Sequence, residues 1–225
     1  MAAFLIFLVV PYPHSFNLKQ AYRFFVKTNY PKNIFMTNSF FIVGIGASAG
    51  GVPALTEFFD HLPYKMKSSY VVATHLMRDR QSLLDQILKK HTKLPVIRLE
   101  KDTKLEMGKI YVIIEDTTVT VKDGLLKVEK RDDKVVNSCV DILFESLAIE
   151  LREIGIGIIL SGGGNDGLKG AKKIKEMGGK VLVQNPDSAK IPWMPMSVIE
   201  GDHPIIVETP AKIAQHLVRL CKLSE

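Results

Sequence analysis

Ser48 lies within Gly46-Ala47-Ser48-Ala49-Gly50-Gly51, behind the apolar run Phe40-Phe41-Ile42-Val43-Gly44-Ile45 and ahead of Val52-Pro53-Ala54-Leu55-Thr56-Glu57-Phe58-Phe59, which reads as a helix. A strand, a sharp turn and a helix in that order set a serine hydroxyl clear of the sheet. They also aim the helix's first free N–H groups at any negative charge that develops there. The same residues fit two chemistries. Residues 46–50 match the G-x-S-x-G nucleophile elbow, and residues 44–49 match the G-x-G-x-x-G/A dinucleotide loop. A dinucleotide loop calls for Asp or Glu about 20 residues later, at the end of the second strand, to hold the ribose hydroxyls. The second strand is expected over 69–74, and the next residue is His75. Imidazole lacks the charge for ribose but accepts a serine proton near neutral pH, so the spacing tilts toward hydrolysis.

The elements around these residues decide whether they can meet. Ile156-Gly157-Ile158-Ile159-Leu160 reads as a buried strand opening into Ser161-Gly162-Gly163-Gly164-Asn165-Asp166-Gly167, with a helix expected over 168–177. Open parallel α/β sheets carry their active crevice along the carboxyl ends of the strands, where residues distant in sequence converge. Ser48, His75 and Asp166 would then serve as nucleophile, base and orienting carboxylate. N–H groups of Ala49 and Gly50 at the helix start, and of the glycine run 162–164, are candidates to bind an oxyanion.

The rest of the chain supports that frame. Helices are expected over 52–60, over 81–90 with Leu83, Leu84, Ile87 and Leu88 on one stripe, and over 211–220. Strands are expected over 95–99, 110–114, 180–184 and 204–208. Asp123-Gly124 between the β-rich runs 118–122 and 125–129 signals a tight hairpin, a candidate lid or docking edge. Ser138 is expected to cap a long helix to about 153, with Asp141 at the capping-box position and Ile142, Leu143, Leu147 and Leu151 inward. The alternation predicts a doubly wound, mostly parallel α/β sheet with helices on both faces and a β-hairpin excursion.

Each candidate has a plainer explanation. Ser48 suits a helix N-cap, and Asp166 suits a cap on its own helix, worth about 1 kcal/mol. His75 suits a buried or surface histidine ending a strand. The glycine run suits a phosphate cradle, yet no Gly-Lys-Ser/Thr succeeds it. Met194 and Pro195 suit either packing or a substrate-facing rim. The other histidines of the catalytic part lack glycine-loop settings and read as structural.

A chain of 225 residues with 46% hydrophobic content can bury one large core and leaves no room for a second domain. The net charge of +6 suggests an anionic partner, but Lys19, Arg23, Lys27 and Lys32 supply +4 of it ahead of the first acidic residue, Glu57. No basic stripe with interleaved aromatics occurs beyond them, which argues against nucleic acid. Residues 1–37 form an N-terminal extension of different composition, and residues 38–225 form the catalytic domain. Within the extension, residues 2–10 are apolar but too short to span a bilayer. Two readings of it stand open: a membrane-surface segment with Lys19, Arg23 and Lys27 at helical spacing, or translation starting at Met36. Cys139 and Cys221 match no metal or redox spacing, no His-Glu-x-x-His motif occurs, and so few thiols suit the cytoplasm. No metal or cofactor is called for.

Several of these motifs, in this order, resemble one family. Residues 46–51, His75-Leu76, Val140-Asp141-Ile142-Leu143-Phe144, residues 160–167 and Met194-Pro195 look like the catalytic domain of CheB-type protein-glutamate methylesterases, over about residues 40–220. The resemblance implies hydrolysis of glutamyl methyl esters on the cytoplasmic helices of chemoreceptors, releasing methanol, with glutamine deamidation a second activity of such enzymes. It maps the family's serine, histidine and aspartate onto Ser48, His75 and Asp166. Three positions depart from it: Gly163 where methionine is usual, at a position whose backbone N–H the resemblance implicates in binding the oxyanion and which glycine retains, Trp193 where glycine is usual, and Met196 where arginine is common. These departures leave room for two rival expectations, a catalytically silent docking module and an esterase for a different ester. About 40 residues ahead of the first strand are too few for a receiver domain, so regulation is expected from a separate partner.

Overall fold

The computed structural model describes residues 40–76, 81–132, 134 and 136–222. The N-terminal extension and Met36 lie outside them. The elements begin with β1 (Phe41–Ala47), α1 (Gly51–Asp60), β2 (Ser68–Thr74), α2 (Leu84–Leu88), β3 (Val96–Leu99), β4 (Thr103–Lys104) and β5 (Ile110–Ile113). They continue with β6 (Thr117–Lys122), β7 (Leu125–Lys130), α3 (Cys139–Leu151), β8 (Gly155–Ile159), α4 (Leu168–Glu176), β9 (Lys180–Gln184), α5 (Trp193–Asp202), β10 (Ile206–Glu208) and α6 (Pro210–Lys222).

Among the described residues, seven strands form one sheet in the order β10-β9-β8-β1-β2-β5-β3, and every neighbouring pair is parallel. The chain winds outward from β1 through β2 toward β5 and β3, then returns past β1 to β8 and winds the other way. The reversal falls between β1 and β8, where doubly wound sheets open a crevice beyond the strand ends. The expected fold class is the one observed.

Alternation along the strands sorts side chains between two helical layers. Val43, Ile45, Tyr70, Val72, Ile156 and Ile158 share one core with Leu55, Phe58 and Phe59 of α1, Leu84 and Leu88 of α2, and Ile213 and Leu217 of α6. On the other face α3 lies unusually close to β1. A Cβ at Gly46 would come within 2.4 Å of Val140 Cγ1, so glycine there is what lets the start of α3 approach the sheet.

Four segments depart from what was expected or add to it. The helix expected over 81–90 is only Leu84–Leu88. Its preceding residues are held by tertiary bonds: Ser82 N–H donates to the Glu115 carboxylate and Arg98 Nη1 donates to Ser82 O at 3.1 Å. The expected hairpin forms as β6 and β7, and β4 extends it to a three-stranded antiparallel sheet, β4-β7-β6, docked on α3 through β6. Val121 N donates to Ser146 Oγ at 3.0 Å, Asp123 N to Glu150 Oε1 at 2.9 Å, and Val119, Val121 and Leu126 are buried. Ser138 makes no side-chain cap on α3, whose capping is taken over by a residue from elsewhere in the chain, and Ile142 is only half-buried. Finally, Met194 and Pro195 belong to a helix, α5, whose buried positions Met194, Pro195, Val198 and Asp202 share one face, but apolar Trp193 and Met196 lie off that face, so no apolar stripe stands out in the sequence.

Candidate active site

Three strand ends meet at the reversal point. β1 runs into a turn in which Gly51 N donates to Ser48 O at 2.9 Å and Gly50 takes φ 73°, a left-handed conformation that favours glycine. This turn is tied across the crevice to the end of β8, because Ser48 N donates to Ser161 O at 2.9 Å. Ser48 is half-buried, and its hydroxyl makes no cap on α1. Instead Ser48 Oγ lies 3.2 Å from His75 Nδ1, just beyond β2. His75 Nε2 lies 2.7 Å from Asp166 Oδ2, just beyond β8. A carboxylate oxygen only accepts, so Nε2 carries the ring hydrogen and Nδ1 offers its lone pair to the serine O–H. The imidazole is thus turned around relative to serine proteases, where Nε2 faces the serine.

Asp166 is 8% exposed and fully engaged. Its Oδ2 also accepts from Val140 N at 3.0 Å, and its Oδ1 accepts from Asp141 N at 2.9 Å. It therefore caps α3 and not its own helix, α4, which Gly167 precedes without a side-chain cap. The positive end of the α3 dipole favours its charge. Asp141 returns the arrangement: its Oδ1 accepts from Gly167 N at 2.9 Å and Gly170 N at 2.8 Å. Burial, with the Asp166 charge adding to it, pushes the Asp141 carboxyl above the ordinary carboxylate range.

The N–H groups of Ala49, Gly50 and Gly163 donate to no group among the described residues, and Ala49 and Gly163 are open to solvent to different degrees. A side chain at Gly163 would meet nothing within 4 Å, so no steric demand fixes glycine there. The loop below is braced. Gly162 N donates to Ile191 O and Met194 N to Gly162 O, both at 2.9 Å, and Met194 is fully buried beneath Gly162 with Pro195 buried beside it. Trp193, by contrast, is 60% exposed.

Comparison with known proteins identifies the family. The family model described as CheB methylesterase matches residues 43–217. The chain belongs to the CheB methylesterase family. It is 31% identical over 178 residues to a Leptospira interrogans protein provisionally named protein-glutamate methylesterase/protein-glutamine glutaminase, covering 78% of this chain and 92% of that one. It is 30% identical over 186 residues to the protein-glutamate methylesterase/protein-glutamine glutaminase of Maricaulis maris, covering 80% of this chain and 46% of the relative. The chain thus spans about half the length of that relative. The crystal structure of the Thermotoga maritima CheB methylesterase catalytic domain superposes with a TM-score of 0.74 at 28% identity, over 81% of this chain and 99% of that domain.

Two residues that brace the site lie within the motifs quoted from the sequence, where spacing gives them no role in it. Ser161 joins three segments: its Oγ lies 3.0 Å from Ala49 O and accepts from Ile191 N at 3.0 Å, while its N–H donates to Gln184 Oε1 at 2.8 Å. Its place in the strand-to-glycine turn was the available signal. Asp141 was visible as a local capping residue and as part of the motif Val140-Asp141-Ile142-Leu143-Phe144, but nothing in sequence spacing reports a bond to another helix.

Proposed function

We propose that this protein is a protein-glutamate methylesterase, hydrolysing glutamyl methyl esters on the cytoplasmic helices of chemoreceptors to glutamate and methanol. The observation that carries the reading is the continuous relay from Ser48 Oγ through His75 Nδ1 and Nε2 to Asp166 Oδ2, at 3.2 and 2.7 Å. Ser48 attacks the ester carbonyl as Nδ1 takes its proton; Asp166 holds the ring and stabilises the imidazolium. The N–H groups of Ala49, Gly50 and Gly163 receive the oxyanion. On collapse, the imidazolium gives its proton to the departing methoxide, releasing methanol. Water then attacks the acyl-enzyme, losing a proton to Nδ1, and that proton returns to Ser48 as glutamate leaves. Glutamine deamidation takes the same path with ammonia as the leaving group. Met194 and Pro195 support the Gly162 loop beside the substrate. The enzyme acts in the cytoplasm, with a separate partner regulating it; no helix among the described residues is long and apolar enough to cross a membrane.

The test is methanol release from methylated receptor by the full chain, with Ser48→Ala expected to lose at least roughly 10⁴-fold in turnover. A fluorophosphonate probe run alongside separates the rivals. Labelling of Ser48 without methanol release points to a different ester, whereas neither labelling nor release overturns hydrolysis and leaves a docking module.

A further inference from the structure

We propose that His75, Cys139 and Asp166 form a zinc(II) site overlapping the relay, and that occupation of this site switches the esterase off. One ligand atom from each of the three side chains lies within 4.8 Å of the other two. Cys139 is the first residue of α3, 2% exposed, with its Sγ 3.7 Å from Thr74 O, the carbonyl just before His75. The thiol therefore lies beside the pair formed by the His75 ring and the Asp166 carboxylate.

Tetrahedral zinc with one sulfur, one nitrogen and one oxygen ligand sets those atoms roughly 3–4 Å apart. Reaching that from the present positions asks the 2.7 Å contact to open slightly and the thiol to close slightly, within the range of side-chain motion. Water completes the fourth position. The donor set is one zinc takes readily, and thiolate plus carboxylate balance its two charges. Burial, with the Asp166 charge adding to it, pushes the free thiol up to about 12. A dication between the two groups reverses the second of these effects and supplies the counter-charge that burial denies. The proton count is definite. The thiol proton is released, and the ring proton moves from Nε2, now a ligand, to Nδ1.

That tautomer change is the switch. Nδ1–H then faces Ser48 Oγ, and no lone pair remains to take the serine proton. The loss of activity rests on the reading of His75 as base; the metal site itself does not.

Titrating the full-length protein with cobalt(II) reads the site without any substrate. We expect a thiolate-to-cobalt charge-transfer band that disappears in Cys139→Ser and His75→Ala, persists in Cys221→Ser and is displaced by zinc(II). Zinc(II) should abolish methanol release, a chelator should restore it, and Cys139→Ser should weaken the inhibition at least roughly tenfold, measured against that variant's own turnover in chelator. Thermal melts confirm that each variant folds. Absence of the band, or its survival in Cys139→Ser, overturns the site. A band that behaves as expected while zinc leaves turnover intact upholds the site and instead removes His75 as the base.

Discussion

At the scale of single residues, Asp141 and Asp166 cap each other's helices, so Asp166 holds the start of α3, which carries Asp141, and Asp141 holds the loop that carries Asp166. Asp166 meets the imidazole, so under the proposed mechanism Asp141 would act through Asp166 as a positioning residue. Asp141→Ala deletes the acceptor for Gly167 N and Gly170 N and should cost about 1–3 kcal/mol of stability. If the loop carrying Asp166 drifts by about 1 Å, kcat falls by up to roughly 100-fold while KM stays near its wild-type value. Asp141→Asn keeps an oxygen acceptor and should retain most of both; equal kcat in the two variants would rule out the positioning role. From spacing alone, Asp141 reads as a partner for Ser138, three residues back. Its bonds are instead made to residues 26 and 29 positions onward, and local spacing cannot report a contact between helices.

At the scale of elements, the start of α3 is held close to β1 by the absence of a side chain at Gly46. Gly46→Ala places a Cβ where Val140 Cγ1 now lies, an overpacking expected to cost about 1–3 kcal/mol in urea unfolding. Turnover should fall as well, because Val140 N is one of the donors that hold Asp166. Replacing Val140 with alanine in the same chain should recover part of the loss, and failure to do so would locate the strain elsewhere. Elements specified by their own residues were legible in advance. Lys180–Gln184 forms as expected, and Asp123-Gly124 turns with φ of 50° and 77°, the conformation that this pair favours. Elements shaped by distant partners were not: α2 is shortened by the bonds of Ser82 to Glu115 and Arg98, and α5 shows no apolar period. The same division runs through the site. Ser48, His75 and Asp166 announced themselves by ending strands, whereas Ser161 and Cys139 matter for what the fold brings beside them.

At the scale of the whole molecule, acid sensitivity should be set in part by the contact that joins the ends of β3 and β5 to the segment before α2. Burial raises the Glu115 carboxyl, but the Ser82 N–H, its own backbone N–H and Arg98 Nη2 at 2.5 Å outweigh it and hold the group below the ordinary carboxylate range. A carboxyl depressed by folding adds stability above its unfolded pKa, and that stability is lost as pH falls through the folded value. Wild type should therefore exceed Glu115→Gln in unfolding free energy at neutral pH, with the gap closing as pH drops below the carboxylate range. A gap independent of pH would mean that packing, not charge, is responsible.

The position of β1 between β8 and β2 has a consequence for synthesis. A chain that has left the ribosome only as far as β7 already holds the serine and histidine, but one flank of β1 has no neighbour and the carboxylate has yet to be made. Ester cleavage thus reports that both wings of the sheet have joined. Two fragments divided between β7 and α3, each inert by itself, should regain turnover only upon reassociation, which makes this protein a natural candidate for a split reporter.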